Sequence, residues 1–421
     1  LNFSDQTKYL SMSDAFLNKT YDSSFHAIMR VPGYPFFVFL LRYLFDNLIF
    51  VILFQNLLGI FTLFLSYNLF KLISKKYSLH LTFLFSINLN VILYQNLILT
   101  ESIFITFFII LIYFFLKLVK KKNIKNLFFF SLFVGITSLI RPQLYYIYPF
   151  IFLLIFLVLE TSIYKKFGYF LIFFLISKSF ILVWEYRNYQ TYDSSFFVIA
   201  KEINLTGYYL PHFDQYEKKM NFNEAQKERI KDWNHYLEKN LSNETKNSED
   251  KISKLLIKDQ LAEKYFFTQL KDYKITTIFQ GIFFGTLKTL ISPSFVEISY
   301  WFKLKKVSFS STDGISFVDQ LINYLFELKN TNTVYLFLLI ISLIITFLLK
   351  ITQLVGFIIF FKNKPKTSMI FLIFIIFFLA LLGPLGAPRY RVPFEIFLTV
   401  YFLVGIKFLY YLNKKKIFKF K

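Results

Sequence analysis

The chain has no cysteine, which excludes disulfide bridges and thiolate metal sites and leaves the compartment of its loops undecided. Arginine is scarce: Arg30, Arg42, Arg141, Arg187, Arg229, Arg389 and Arg391 make seven, against forty-one lysines. Histidine occurs four times, and no metal-ligand spacing recurs around His26 or His212, which read as surface residues. Internal repeats, usual in transporters built from related halves, are also lacking. What is abundant is apolar surface. The 421 residues are 56% hydrophobic and 22% aromatic, with blocks of about 20 apolar residues, the length that crosses a bilayer core. This composition predicts an all-α polytopic membrane protein. A net charge of +22 would suggest nucleic acid in a soluble chain. Here the basic clusters abut apolar segments, where lipid headgroups are the nearer anions, and no nucleic-acid partner is expected.

The apolar blocks predict about nine transmembrane helices, at 48–72, 80–98, 101–119, 124–140, 143–160, 167–185, 334–361, 367–385 and 394–412. Counting crossings places Lys75-Lys76, Lys120 to Lys122 with Lys125, Lys165-Lys166, Lys362 with Lys364 and Lys366, and Lys414 to Lys416 on one side, which the positive-inside rule makes cytoplasmic. The chain then divides into an outer loop with interfacial helices (1–47), transmembrane helices (48–185), an extracytoplasmic helical region (186–333), and transmembrane helices with a basic cytoplasmic tail (334–421). Within 186–333, residues 223–270 read as soluble helices joined by a polar turn near 241–249. The stretch 276–295 is apolar but broken by glycines, and is expected at the outer interface because a crossing there would spoil the charge parity. "NET" at 243–245 matches a glycosylation sequon too common to carry weight. By the same parity the chain begins outside with no apolar segment ahead of Leu1, which predicts the loss of an initial membrane-crossing helix.

Five of the seven arginines, Arg30, Arg141, Arg187, Arg389 and Arg391, fall at outward ends of membrane segments, whereas the cytoplasmic clusters are lysine only. That distribution opposes the positive-inside trend and calls for a local anion. A guanidinium grips phosphate through a planar fork and keeps its charge when partly desolvated, so a lipid phosphate at the outer surface suits all five; the plainer alternative is that each snorkels to headgroups. Acids share that face. In "SDQTKYLSMSDAFL" (4–17), Tyr9, Met12 and Phe16 fall on one side of an amphipathic helix opened by Asp5. Asp5 is either an N-cap or a carboxylate placed to take a proton beside a phosphate site. Glu101 starts the 101–119 segment, where the helix dipole favours negative charge whether or not it has a further role.

These motifs resemble, in order, those of the phospholipid-carrier-dependent glycosyltransferases of the GT-C fold, the glycosyltransferase family 39 group that includes protein O-mannosyltransferases and the bacterial aminoarabinose transferase of lipid A. The family's first outer loop is matched by Asp5, Tyr9, Ala15 and "RVPGYP" from Arg30 to Pro35. Its later marks are matched by "LILTESIF" with Glu101, "LIRP" with Arg141, "VWEYRNY" with Trp184, Arg187 and Asn188, and "APRYRVPFE" with Arg389, Arg391 and Pro393. The resemblance implies a GT-C-like bundle in the cell envelope, in a bacterial inner membrane, with an extracytoplasmic active site. The implied reaction transfers a hexosyl or pentosyl group from a polyprenyl-phosphate carrier to a glycan, lipid or protein acceptor, usually with inversion. Asp5 matches the catalytic aspartate; Tyr9, Arg30, Glu101, Arg141, Arg187, Arg389 and Arg391 are the expected substrate-binding set. The resemblance fixes no cofactor and leaves a divalent metal open. The segment 276–295 with the last outer loop would cap the acceptor cleft. A polysaccharide polymerase or ligase using the same carriers, or a flippase of lipid-linked sugars, are the alternatives.

Overall fold

A computed structural model of the protein describes residues 4–23, 25–241, 251–294, 309, 312 and 317–414. Among these the elements are helices, with no β-strand, as the apolar blocks predict. The sequon at 243–245 and most of the expected polar turn lie outside the described residues. Six helices among them are long and apolar enough to cross a membrane: Leu48–Ile73, Glu101–Lys121, Ile163–Tyr192, Thr333–Asn363, Pro365–Leu382 and Pro388–Asn413. The other three expected crossings consist of shorter pieces. The segment 80–98 divides into Ser78–Ser86 and Leu89–Gln95, because the Asn88 side chain accepts from the amides of Asn90 (3.0 Å) and Val91 (3.3 Å) and so caps a new helix start. The segment 124–140 forms the helix Ile124–Ser138, and 143–160 a 3-10 turn, Pro142–Tyr146, followed by Tyr148–Val158.

The chain forms two compact units, one comprising Asn2–Phe197, Phe347–Leu381 and Arg389–Lys421, the other chiefly Val198–Thr346 with Leu382–Pro388. In the first unit Glu101–Lys121 is the central helix. Its most apolar window is 67% buried within protein, against 17% for Leu48–Ile73 and for Ile163–Tyr192, whose outer faces are left to lipid. It packs on Leu48–Ile73 and Ile124–Ser138, and the hydroxyls of Thr62 and Thr106 meet at 2.6 Å across the first contact. Lysines tie down its C-terminal end. Lys120 donates to the Leu72 carbonyl, Lys122 to the Glu160 carbonyl (2.7 Å) and Lys364 to the Ile73 carbonyl, while Lys366 pairs with the Glu160 carboxylate. The lysines of 120–122 and 362–366 thus gather at one end of the unit. Glu101 stands at the opposite end of its 21-residue helix, roughly 30 Å away at 1.5 Å per residue.

In the second unit, Leu210–Glu217, Phe222–Asn240 and Lys251–Leu270 pack around Leu210, Phe213, Trp233, Leu237, Ala262 and Tyr265. Arg229 is buried there and forks onto Asp214 at 2.6 and 2.7 Å, and also donates to Tyr265 and Tyr273 at 2.9 Å each and to Gln269 at 2.5 Å. His212 is not a surface residue: it is buried against Phe222, and burial holds its pKa down at about 3. Nor do glycines break the 276–295 stretch. It forms a continuous helix, Ile275–Ile291, and Gly285 lets that helix approach the backbone of Pro384, where a β-carbon would come within 2.5 Å.

Candidate active site

Ser4–Leu17 forms the helix that its apolar spacing predicts, with Tyr9 and Met12 buried. Asp5 lies in its first turn, yet its side chain is not used as a cap. Both carboxylate oxygens take guanidinium donors, Arg30 Nη2 on Oδ1 at 2.7 Å and Arg389 Nη1 on Oδ2 at 2.6 Å. Burial pushes the Asp5 carboxyl up, but Arg389 and Arg30 together outweigh it and hold the pKa at about 2, below the ordinary 3.8.

The "RVPGYP" turn sets Arg30. Its Nη1 donates to the Tyr9 hydroxyl at 2.9 Å, and its guanidinium lies 4.8 Å from the centre of the Tyr9 ring. Gly33 docks this turn on the loop ahead of Arg141: its amide donates to the Leu139 carbonyl at 2.7 Å, and a β-carbon would stand 2.5 Å from that oxygen. Tyr34 donates to Gln55 (2.8 Å), which donates to the carbonyls of Gln95 (3.0 Å) and Leu97 (2.8 Å), a network that fixes the loop leading to Glu101.

Glu101 is 1% exposed and begins its helix, as the dipole favours. It also sits between two cations. Arg389 contacts both its oxygens, Nε on Oε1 and Nη2 on Oε2 at 3.3 Å, and Arg141 Nη1 stands 3.6 Å from Oε1. Arg389 therefore bridges Asp5 and Glu101. Arg141 is buried against the Phe104 ring, 5.0 Å from its centre, and its Nη1 has no hydrogen-bond partner among the described residues. Three arginines and Lys8, whose Nζ stands 4.0 Å from Asp5 Oδ1, against two carboxylates leave a formal charge of +2 at this point.

The two remaining arginines of the expected set stand elsewhere. Arg187 pairs with Asp22 and lies over the rings of Tyr21, Trp184 and Tyr192. Arg391 pairs with buried Glu395, which also accepts from Asn88 (3.0 Å) and Asn90 (3.3 Å). Sequence reasoning missed Glu395, although it stands one helical turn after Arg391, a spacing at which opposite charges meet. Asp22 lies in a short polar stretch with no such signal. Among the described residues no group of three or more His, Cys, Asp or Glu has the arrangement to hold a metal ion, and the oxygens of Asp5 and Glu101 are directed at guanidiniums.

Residues 29–184 match the family model of the dolichyl-phosphate-mannose-protein mannosyltransferases. Over that span, less than half of the chain, the protein is similar to membrane glycosyltransferases of the GT-C fold. The matched span includes Arg30, Glu101 and Arg141, while Asp5, Tyr9, Arg187, Arg389 and Arg391 lie outside it. No curated protein matches the chain.

Proposed function

We propose that the transferase moves a sugar, with inversion, from a polyprenyl-phosphate carrier to an acceptor hydroxyl on the extracytoplasmic side. In this reading Asp5 is the base, and Arg30, Arg141 and Arg389 receive the carrier phosphate. The observation that carries it is the convergence of three arginines from distant parts of the chain, with an excess positive charge and a buried guanidinium nitrogen of Arg141 that lacks a hydrogen-bond partner among the described residues. Charge-assisted, forked hydrogen bonds from arginine suit a phosphate at such a point.

With both oxygens engaged by guanidiniums, Asp5 is a poor proton acceptor. A carrier phosphate competes for the same donors. As it docks, arms of Arg30 and Arg389 turn from the carboxylate to the phosphate oxygens, one Asp5 oxygen is released, and its affinity for a proton rises. The acceptor oxygen then bonds to the anomeric carbon while its proton passes to Asp5. The bond from that carbon to the phosphate oxygen breaks, and polyprenyl phosphate leaves with the electron pair, its added charge met by the arginines already in place. Glu101 stays under Arg389 and keeps it aimed.

Asp5→Asn in the full chain should lower transfer by roughly 10²- to 10⁴-fold, the range for loss of a general base. Binding of a short polyprenyl phosphate should be as tight or tighter, since a competing charge is removed. Asp14→Asn is the control, because Asp14 pairs with Arg42 and not with this centre. Wild-type turnover in the Asp5 variant would remove it from the mechanism.

A further inference from the structure

Beside the arginine centre lies a cavity of about 640 Å³ that the chemistry above does not use. Phe16, Lys19, Tyr21, Asp22, Trp184 and Arg187 line it, and Gly33 and Leu139 close one side. That wall is the same backbone contact that docks the Arg30 turn on the Arg141 loop. The cavity and the reacting centre are therefore neighbours across one layer of chain. Its volume falls within the range of small-molecule sites, about 300–1,000 Å³, far more than an inorganic anion fills.

Three features of the lining restrict the ligand. Phe16 and Tyr21 are stacked, centroids 3.8 Å apart, and Trp184 adds a third ring, so the walls offer flat apolar faces to a ring with C–H bonds on one side. The Asp22 side chain, although paired with Arg187, is 66% exposed and can accept from hydroxyl groups, and the Tyr21 hydroxyl, buried and without a hydrogen-bond partner among the described residues, is left unsatisfied at the wall. Lys19 and Arg187 against Asp22, two charges against one, leave a surplus of +1. An inorganic anion satisfies only the third feature and a lipid chain only the first. A neutral sugar satisfies the first two.

We propose that this cavity is the acceptor subsite of the transferase and that it takes a sugar carrying a phosphate or carboxylate group, the anion on Arg187 and Lys19 and the ring against Tyr21 and Trp184. The assignment of an acceptor rests on the transfer reading given above; the recognition of an acidic sugar does not. The full chain in detergent micelles is titrated with glucose 6-phosphate, glucuronate, glucose and inorganic phosphate, and separately with phosphatidylglycerol vesicles. The signal is tryptophan fluorescence, taken as the difference between wild type and Trp184→Phe. A saturable response is expected to glucose 6-phosphate, glucuronate or both, whichever distinguishes the anion's source, and at least tenfold weaker to glucose or phosphate alone. Arg187→Gln should weaken it tenfold or more, and Lys19→Gln, at an exposed position, several-fold. Inorganic phosphate or glucose binding as tightly as the acidic sugars overturns the proposal, as does no response to either acidic sugar, or a response only to phosphatidylglycerol vesicles. Binding of a short polyprenyl phosphate is measured in parallel and should be unaltered by Lys19→Gln. If the carrier fails to bind while acidic sugars do, the reading of the arginine centre falls and the cavity's sugar recognition stands.

Discussion

Asp5 gains its ionic character from two arginines that outweigh its burial, and this has a testable sign. Its folded carboxyl is lowered from 3.8 to about 2, so its contribution to stability is fully present above about pH 4 and is lost as pH falls through about 2. A shift of that size corresponds to roughly 2 kcal/mol. Thermal midpoints of wild type and Asp5→Asn should therefore differ near neutral pH and converge toward pH 2; a constant gap would show that the pair is not ionic in origin. Arg141 tests the fork. Arg141→Lys keeps the charge but loses the planar donors, and carrier binding and transfer should each fall about tenfold, whereas wild-type values would count against a phosphate role. Residue type and placement at one surface made Asp5, Arg30, Glu101, Arg141 and Arg389 legible in the sequence. Their pairing was not, because Arg389 and Asp5 are 384 positions apart and meet only when distant helices pack. For the same reason Arg187 and Arg391 looked like members of one ring, although each has a carboxylate of its own.

At the level of elements, hydropathy reveals where apolar helix can form but not where a side chain interrupts it. Asn88 divides one expected crossing by capping a new helix, a local competition that an average over many residues hides. Lys350 is the converse. It lies inside the long apolar helix Thr333–Asn363 and was masked by its neighbours, yet it finds a partner in Gln353 at 2.8 Å. Glycine decides how two of these helices meet. A β-carbon at Gly356 would run into the Tyr401 carbonyl, and one at Gly405 into the Thr352 carbonyl, so Thr333–Asn363 and Glu395–Asn413 touch backbone to backbone. Gly356→Val should lower the thermal midpoint in detergent by about 5 °C or more. It should also reduce transfer, because the second helix begins with the glutamate that holds Arg391. An unchanged midpoint would show that the contact tolerates a side chain.

For the molecule as a whole, the gathering of lysines opposite Glu101 supports an arginine site that faces outward, away from the cytoplasm. With no cysteine in the background, a membrane-impermeant maleimide applied to intact cells should label Gln143→Cys and spare Lys121→Cys; the reverse pattern would invert the orientation. The central helix adds a further consequence. Arginines hold Glu101 at one end, and Lys120 and Lys122 hold the other through backbone carbonyls, so Glu101–Lys121 can neither tilt nor slide against the helices around it, and any adjustment to the surrounding lipid is made by the helices together. Single helices usually accommodate mismatch by tilting, at fractions of a kcal/mol per Å, and here that freedom passes to the bundle and to the lipid around it. A helix pinned in this way works as a depth gauge. In a thin bilayer the arginine centre stands above the headgroups, and in a thick one it sinks among acyl chains, while the carrier's phosphate keeps to the plane of its own headgroup. In the transfer reading proposed above, enzyme and donor would come level over a narrow range of thickness, and the bilayer itself would then be a determinant of the rate.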